Sequence, residues 1–161
     1  AYQLGRAYEA THHLVEVLRP ILAELVAQDT ESASFHVYDS SSTRLCLLRI
    51  DSHHSTLDRI DTGDLLPLDR GAAGKLITRF RSTGLAPKLS NVTAVSLGER
   101  DSNCAAVAVA VFGPGNQIVG AISLSGPKER FTNKAISKMT KQALVAAAQA
   151  TQLLGGHWPL S

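Results

Sequence analysis

The stretch Cys104–Pro127, CAAVAVAVFGPGNQIVGAISLSGP, constrains this chain most. Two apolar runs flank Gly113-Pro114-Gly115-Asn116, a cluster that marks a turn because Gly and Pro punctuate regular structure. Residues 105–112 and 117–125 therefore predict a β-hairpin with a four-residue loop. A loop of that length pairs Phe112 with Gln117 and sets the register behind it. One face then holds Val111 opposite Ile118, Val109 opposite Gly120, Val107 opposite Ile122 and Ala105 opposite Leu124. The other holds Ala110 opposite Val119, Ala108 opposite Ala121, Ala106 opposite Ser123 and Cys104 opposite Ser125. Side chains alternate across a strand, so the two faces differ in kind. The first is branched and apolar, suited to a covering helix. The second is small and ends in two hydroxyls and a thiol. Small groups on a buried face either let a helix approach closely or leave volume for a ligand.

The rest of the chain supplies what such a hairpin needs. Leu4, Thr11, Leu18 and Leu25 repeat every seven residues, and Ala7, Leu14, Ile21 and Gln28 fall three later, a helical stripe. Pro20 removes a backbone donor and clashes with the preceding turn. The expectation is thus a connector helix ending near Leu18, then a second helix with Pro20 in its first turn. Residues 34–39 and 44–51 predict two strands joined by a turn at 40–43. Residues 52–69 predict a loop leading to a third strand near Leu65, Leu66 and Leu68. Gly71-Ala72-Ala73-Gly74 allows a tight turn before a short helix to about Phe80. Residues 81–95, rich in Ser, Thr, Gly, Pro and Asn, predict an irregular loop. Thr132 is a candidate N-cap for a helix running to Leu154 and stopped by Gly155-Gly156. Its Ala135, Ile136, Met139, Ala143, Leu144, Ala147 and Leu154 form an amphipathic set that could cover the branched face. This order predicts an α+β domain with a central, mostly antiparallel sheet flanked by helices.

At 161 residues the chain suffices for one domain with a real core. Sixteen basic residues against fourteen acidic ones leave a net charge of +2 without any basic run, which argues against nucleic-acid binding by this segment itself. Cys46 and Cys104 sit in apolar strand-like runs and read as reduced thiols rather than a disulfide. With no signal-peptide core and no apolar run long enough to span a bilayer, the expected location is cytoplasmic. The first residue is not Met, so the chain reads as part of a longer protein.

Motifs for chemistry are sparse. Gly71-Ala72-Ala73-Gly74-Lys75 invites a phosphate-loop reading, but Asp69 stands where that motif needs glycine and Leu76 where it needs Ser or Thr. What remains is a helix N-terminus able to present amides to an anion. The pairs His12-His13 and His53-His54 lack the three- or four-residue spacing of a helical metal site, and His36 has no nearby Cys or Glu, so no metal or cofactor is expected. No Gly-x-Ser-x-Gly elbow and no spaced Cys–His or carboxylate pair appears, so enzymatic activity is not expected. Ser96-Leu97-Gly98-Glu99-Arg100 is either the mouth of a pocket or a solvated turn.

Taken together, AISLSGPKERF at 121–131, SLGER followed by AAVAVAVF, PLDRGAAGK at 67–75, LRPILAEL at 18–25 and ALVAAAQATQLLGG near the end resemble the C-terminal effector-binding domain of the isocitrate-lyase-regulator (IclR) family of bacterial transcription factors. Tyr2-Gln3-Leu4-Gly5 is similar to the Tyr-x-Leu-Gly that closes that family's winged helix. The resemblance implies a GAF-like fold over residues 19–161. It also implies a connector helix over 1–18 from an N-terminal DNA-binding domain upstream, a small-molecule effector, and a homodimer or homotetramer. Family pocket positions fall on Ala72, Ala73, Ser96, Ala106, Ser123 and Ser125. A pocket cysteine known in the family corresponds to Ala106, with Cys104 one strand repeat away. An acidic pocket residue corresponds to Ser96, with Glu99 the nearest carboxylate. The segment between Lys75 and Ser96 is several helical turns shorter than the family's.

The expected effector is a small organic acid, its negative group facing the amides of Ala72 and Ala73 and the hydroxyls of Ser123 and Ser125. Ala106, Ala108 and Ala121 would form the floor. The alternative is a free-standing GAF-like domain with a degenerate pocket or weak enzymatic activity.

Overall fold

A computed structural model describes residues 2–54 and 60–158, with the side chains of residues 2–4 left out of the description. Helix α1 spans Tyr2–Ala27. Strands β1 (Ser32–Tyr38), β2 (Thr43–Ile50) and β3 (Leu65–Pro67) follow, then helix α2 (Ala72–Ser82). Next come β4 (Thr93–Leu97), β5 (Cys104–Phe112), β6 (Ile118–Pro127) and helix α3 (Asn133–Leu153). The six strands form one antiparallel sheet in the order β3-β2-β1-β6-β5-β4. This is the expected α+β architecture. The expected loop over 52–69 includes residues 55–59, which lie outside the described residues, and it ends at β3 as anticipated.

The helices divide between the two faces of the sheet. Helices α1 and α3 pack on each other and on β1, β2, β5 and β6, whereas α2 lies chiefly against β5, β6 and β4, with a smaller contact to β1. Phe112 meets Phe80 of α2 edge to face with centroids 5.0 Å apart, so the face shared by Phe112, Ala110 and Ala108 is the α2 side. The opposite face carries Phe35, Val107, Val109, Val111, Ile122 and Leu124, all fully buried. Over it lie Leu18, Leu22 and Leu25 of α1 and Ala143, Ala147 and Ala150 of α3. Thr132 caps α3 as anticipated, its Oγ1 accepting from the Ala135 N–H at 3.2 Å.

Three expectations need correction. First, α1 does not break near Leu18 but passes through Pro20 to Ala27. A proline inside a helix costs roughly 3 kcal/mol. Here its exposed side lies opposite Leu18, Ile21, Leu22 and Leu25, whose burial contributes about 1.5–3 kcal/mol each and outweighs that cost. The heptad stripe thus splits. Leu18, Ile21 and Leu25 serve the domain's own core, Ala7 and Thr11 stay exposed, and the side chain of Leu4 lies outside the described residues.

Second, Thr93–Val95, expected in an irregular loop, and Ser96-Leu97, expected at a pocket mouth or turn, form β4 and pair with β5 from Thr93 opposite Val109 to Leu97 opposite Ala105. Five residues alternating Thr, Ala, Val, Ser and Leu suffice once β5 offers an edge, because strand preference is mostly a matter of available partners.

Third, the hairpin register is shifted by two residues. Val107 faces Leu124, Ala108 faces Ser123 and Ala106 faces Ser125, while Phe112 faces Ile118 rather than Gln117. A tight 3₁₀ turn at Pro114–Asn116 sits inside a five-residue loop closed by the Gly113 N–H on the Gln117 carbonyl. A bulge beside Phe112 then adds the second residue. A slip of two preserves the face of each side chain over Ala105–Val111 and Gly120–Gly126, so the division into a branched and a small face survives there, while Ile118, beyond the bulge, pairs with Phe112 instead of Val111.

Candidate functional site

The small face of the sheet closes over a cavity of about 30 Å³ beneath the N-terminus of α2. That space holds about two water molecules, since each needs roughly 10–15 Å³ by this measure. Gly71 precedes α2 at φ 85°, a left-handed conformation that suits glycine, and it has no side chain with which to cap the helix. The first turn's amides, at Ala72 and Ala73, therefore border the cavity without a side-chain partner from Gly71. Gly74 allows α2 to start here, because a Cβ on it would run into the Leu68 carbonyl.

Polar groups converge from four strands. Ser123 and Ser125 come from β6, Cys104 and Ala106 from β5, Ser96 from β4 and His36 from β1. Ser96 and Ser123 are each only 4% exposed, and neither hydroxyl makes a hydrogen bond to another described residue. Their oxygens are not buried unsatisfied atoms, so they keep access to solvent at the cavity they border, where water can pair with them.

Arg44 of β2 reaches the same cavity, 97% withdrawn from solvent at 3% exposure. Its Nη1 donates to the carbonyls of Pro67 and Arg70, which holds the β3–α2 connection in place. Its Nε lies 3.4 Å from His36 Nδ1. No carboxylate ion-pairs with Arg44 among the described residues. Burial, with Arg100 nearby, lowers its pKa to about 10, so it remains a cation at neutral pH. A buried cation without a counter-charge is costly and makes the site attractive to an anion.

The same geometry sets the chemistry of His36. Arginine can only donate, so Nδ1 of His36 accepts and its proton sits on Nε2. Nε2 lies 2.9 Å from Ser34 Oγ and donates to it. A serine activated by histidine needs the reverse polarity, with Nε2 accepting the hydroxyl proton. The Ser34–His36–Arg44 array is therefore arranged to hold a guanidinium, not to generate a nucleophile.

Of the residues expected at a site, Ala72, Ala73, Ser96, Cys104, Ala106, Ser123 and Ser125 border this cavity. Glu99 does not; it is exposed and ion-paired with Lys75 Nζ, which also donates to the Val95 carbonyl at 2.9 Å. That clasp ties α2 to the end of β4. The expected floor is shared out, with Ala106 beside the cavity and Ala108 and Ala121 fully buried. Cys46 and Cys104 are both buried and form no disulfide, and burial pushes the Cys46 thiol up to about 11. Sequence reasoning missed Arg44 and Asp101 and gave His36 no role, whereas Ser96 and Arg100, from the cluster read as a possible pocket mouth, do border the cavity. The overlooked signal was an arginine and a histidine on strand faces that the hairpin pattern makes buried. No group of three or more His, Cys, Asp or Glu able to hold a metal occurs among the described residues, and no helix there is long and apolar enough to cross a membrane.

Comparison with known proteins places these features in context. Residues 82–152 match the family described as bacterial transcriptional regulator IclR C-terminal. The chain is 22% identical to the transcriptional repressor IclR of Escherichia coli K12, over 97% of this chain and 68% of that protein. Among solved structures, an IclR transcriptional regulator from Silicibacter sp. TM1040 superposes with a TM-score of 0.81 at 18% identity, covering 98% of this chain and 73% of that one. The C-terminal domain of a transcriptional regulator from Vibrio cholerae gives 0.73 at 24% identity, covering 88% and 99%. At these identities the structural likeness establishes a shared fold.

Proposed function

We propose that the chain carries the C-terminal domain of an IclR-family bacterial transcriptional regulator and is the effector-sensing and self-associating module of such a regulator. DNA contact belongs to a winged helix-turn-helix upstream. The effector is a small organic acid bound beneath the N-terminus of α2, and binding there alters the affinity of the upstream domain for its operator. The observation that carries this reading is the convergence on one cavity of uncapped α2 amides with the hydroxyls of Ser96 and Ser123, which have no hydrogen-bond partner among the described residues. Helix N-terminal amides favour a negative group. A thermal-shift screen of carboxylic acids against neutral and cationic metabolites tests it: acids should raise the melting temperature. Replacing Ser123 and Ser125 together by alanine should weaken binding by more than about tenfold without unfolding the domain, since hydrogen bonds to a charged group are worth roughly 1.5–3 kcal/mol each.

Self-association rests on α1, whose first turns from Gly5 to His13 are exposed, with Tyr8 71% exposed. Isolated helices of this length are marginal in water, so a second chain is a natural cover. Light scattering at micromolar concentration should show a dimer or larger, weakened in Leu14→Glu. The chain alone should show no sequence-specific DNA binding in gel shifts at physiological salt. One observation favours the second reading, a degenerate pocket: the cavity is only about 30 Å³. Under that reading no metabolite of any charge stabilises the fold.

A further inference from the structure

We propose that the outer edge of β4 is a surface for strand pairing with a second copy of this chain, and that Lys75 and Arg79 of α2 hold it shut. The edge is open by topology, since β4 ends the sheet and only β5 pairs with it. Val92 accepts from the Ala110 N–H and Gly98 donates to the Cys104 carbonyl, both at 2.9 Å. Ala94 and Ser96, between them, therefore turn their backbone groups toward β5, and Thr93, Val95 and Leu97 turn theirs outward. A row of outward donors and acceptors is a template for another strand. Leu97, 49% exposed at the end of β4, and exposed Leu89 shortly before it add apolar surface beside that row. The row also complements itself. Two copies running antiparallel about Val95 would set Thr93 of one opposite Leu97 of the other.

The α2 side chains occupy the acceptors that such pairing needs. Lys75 Nζ donates to the Val95 carbonyl at 2.9 Å. Arg79 Nη1 donates to the carbonyls of Asn91 and Thr93, at 2.6 and 3.2 Å. Spacing explains how one helix serves a whole edge. Residues four apart on a helix rise about 6 Å, close to the roughly 6.7 Å between alternate residues of a strand. Lys75 and Arg79 thus meet successive outward carbonyls of β4 in step. Glu99 pairs with Lys75 and steadies it over the edge. Arg79 has no carboxylate partner among the described residues, so its charge is directed at the two carbonyls. An incoming strand would have to displace both cations, which is how charged side chains blunt a sheet edge. This closure is separate from the self-association proposed for α1, which packs on β1 and β2.

The test compares the 161-residue chain with the double variant Lys75→Met, Arg79→Met, whose side chains keep their bulk but cannot donate. Light scattering over rising protein concentration reads assembly, and amide hydrogen exchange followed by ¹⁵N NMR reads which edge pairs. The double variant should reach about twice the mass of the wild type's own assembly, and its Val95 N–H should exchange roughly tenfold more slowly at high than at low concentration. In the wild type, exchange at Val95 should not depend on concentration. The amides of Ala106 and Ala108, on the strand that β4 pairs with, should stay protected in both proteins, which shows that the sheet is intact. A folded double variant no larger than the wild type would overturn the proposal. So would a larger assembly whose Val95 N–H exchanges freely, because that assembly forms elsewhere, through α1 for example. Concentration-dependent protection of Val95 in the wild type would show the edge open with both cations in place, and would overturn the closure. Should the double variant not fold, Arg79→Met alone, with the Lys75–Glu99 pair kept, should show partial protection of Val95 at high concentration. Its absence there would overturn the proposal as well.

Discussion

The two faces of the β5–β6 hairpin are built from the same short stretch yet do opposite work. On the α1–α3 side Val107, Val109, Val111, Ile122 and Leu124 are branched, fully buried and met by helices on both flanks. On the α2 side the positions hold Cys104, Ala106, Ala108, Ala110, Ala121, Ser123 and Ser125. There α2 descends onto the alanines through Leu76, Ile77 and Phe80, but its first turn stands off from the serine end and leaves the cavity. Both readings of the small face thus hold, at different ends of it: alanine admits a helix, and serine with cysteine borders a space. The lesson is a division of labour, with stability drawn from one face and polar recognition from the other.

The sharpest way to break that division is to delete mass from each face. Phe35 is fully buried on the branched face, where its ring lies over Gly120. Phe35→Ala should destabilise the chain by about 3–5 kcal/mol, the usual loss for a core phenylalanine. Ser96→Ala on the other face removes a hydroxyl without a partner among the described residues and should change stability by less than about 1 kcal/mol. Urea denaturation of both variants measures the contrast. Comparable losses would mean that the cavity face is as structural as the core.

Gly120 sharpens the same contrast. A Cβ there would run into the His36 carbonyl oxygen and the Phe35 ring, and the carbonyl belongs to backbone that cannot swing away. Gly120→Ala should therefore cost about 1–3 kcal/mol, in the range for overpacked cores. The melting temperature should fall while the affinity of the folded protein for a carboxylic acid that stabilises the wild type changes by less than severalfold. A large change in affinity instead would show that the two faces are mechanically coupled through β1.

Much of this arrangement was legible in residue patterns. The alternation in Cys104–Pro127 separated the two faces correctly because a face assignment depends only on parity. The pairing across the hairpin was not legible, since the 3₁₀ turn and the bulge beside Phe112 each add a residue that composition does not announce. Strand β4 was hidden because its five residues sit in a polar neighbourhood and owe their conformation to the edge of β5. The unbroken course of α1 depended on tertiary burial outweighing Pro20, which no local rule weighs. At the cavity, Ser123 and Ser125 could be read from alternation within one hairpin. Arg44 and His36 share the β1–β2 hairpin, but their place at this cavity could not be read, because it depends on β1 pairing with β6.

The smallest predicted effect separates two buried groups on the cavity side, Arg44 and Cys46. Burial raises the Cys46 pKa from 9.0 to about 11, so between those values the unfolded thiol loses its proton while the folded one keeps it. The stability contributed by Cys46 is therefore fully present below pH 9 and is lost as pH rises toward 11. Arg44 has the opposite sign in a higher window: its pKa is lowered to about 10, so the penalty for burying its charge is relieved only as pH rises above 10. Between pH 8 and pH 10 the thiol dominates, and stability should drop by about 1 kcal/mol through Cys46 alone. Comparing the wild type with Cys46→Ala isolates that slope from the tyrosines and lysines that titrate nearby. The difference in unfolding free energy between the two proteins should shrink by about that amount across this range. A difference that stays constant would mean that the thiol is not held in its protonated form by the fold, and that this side of the sheet is wetter than the burial of Cys46 implies.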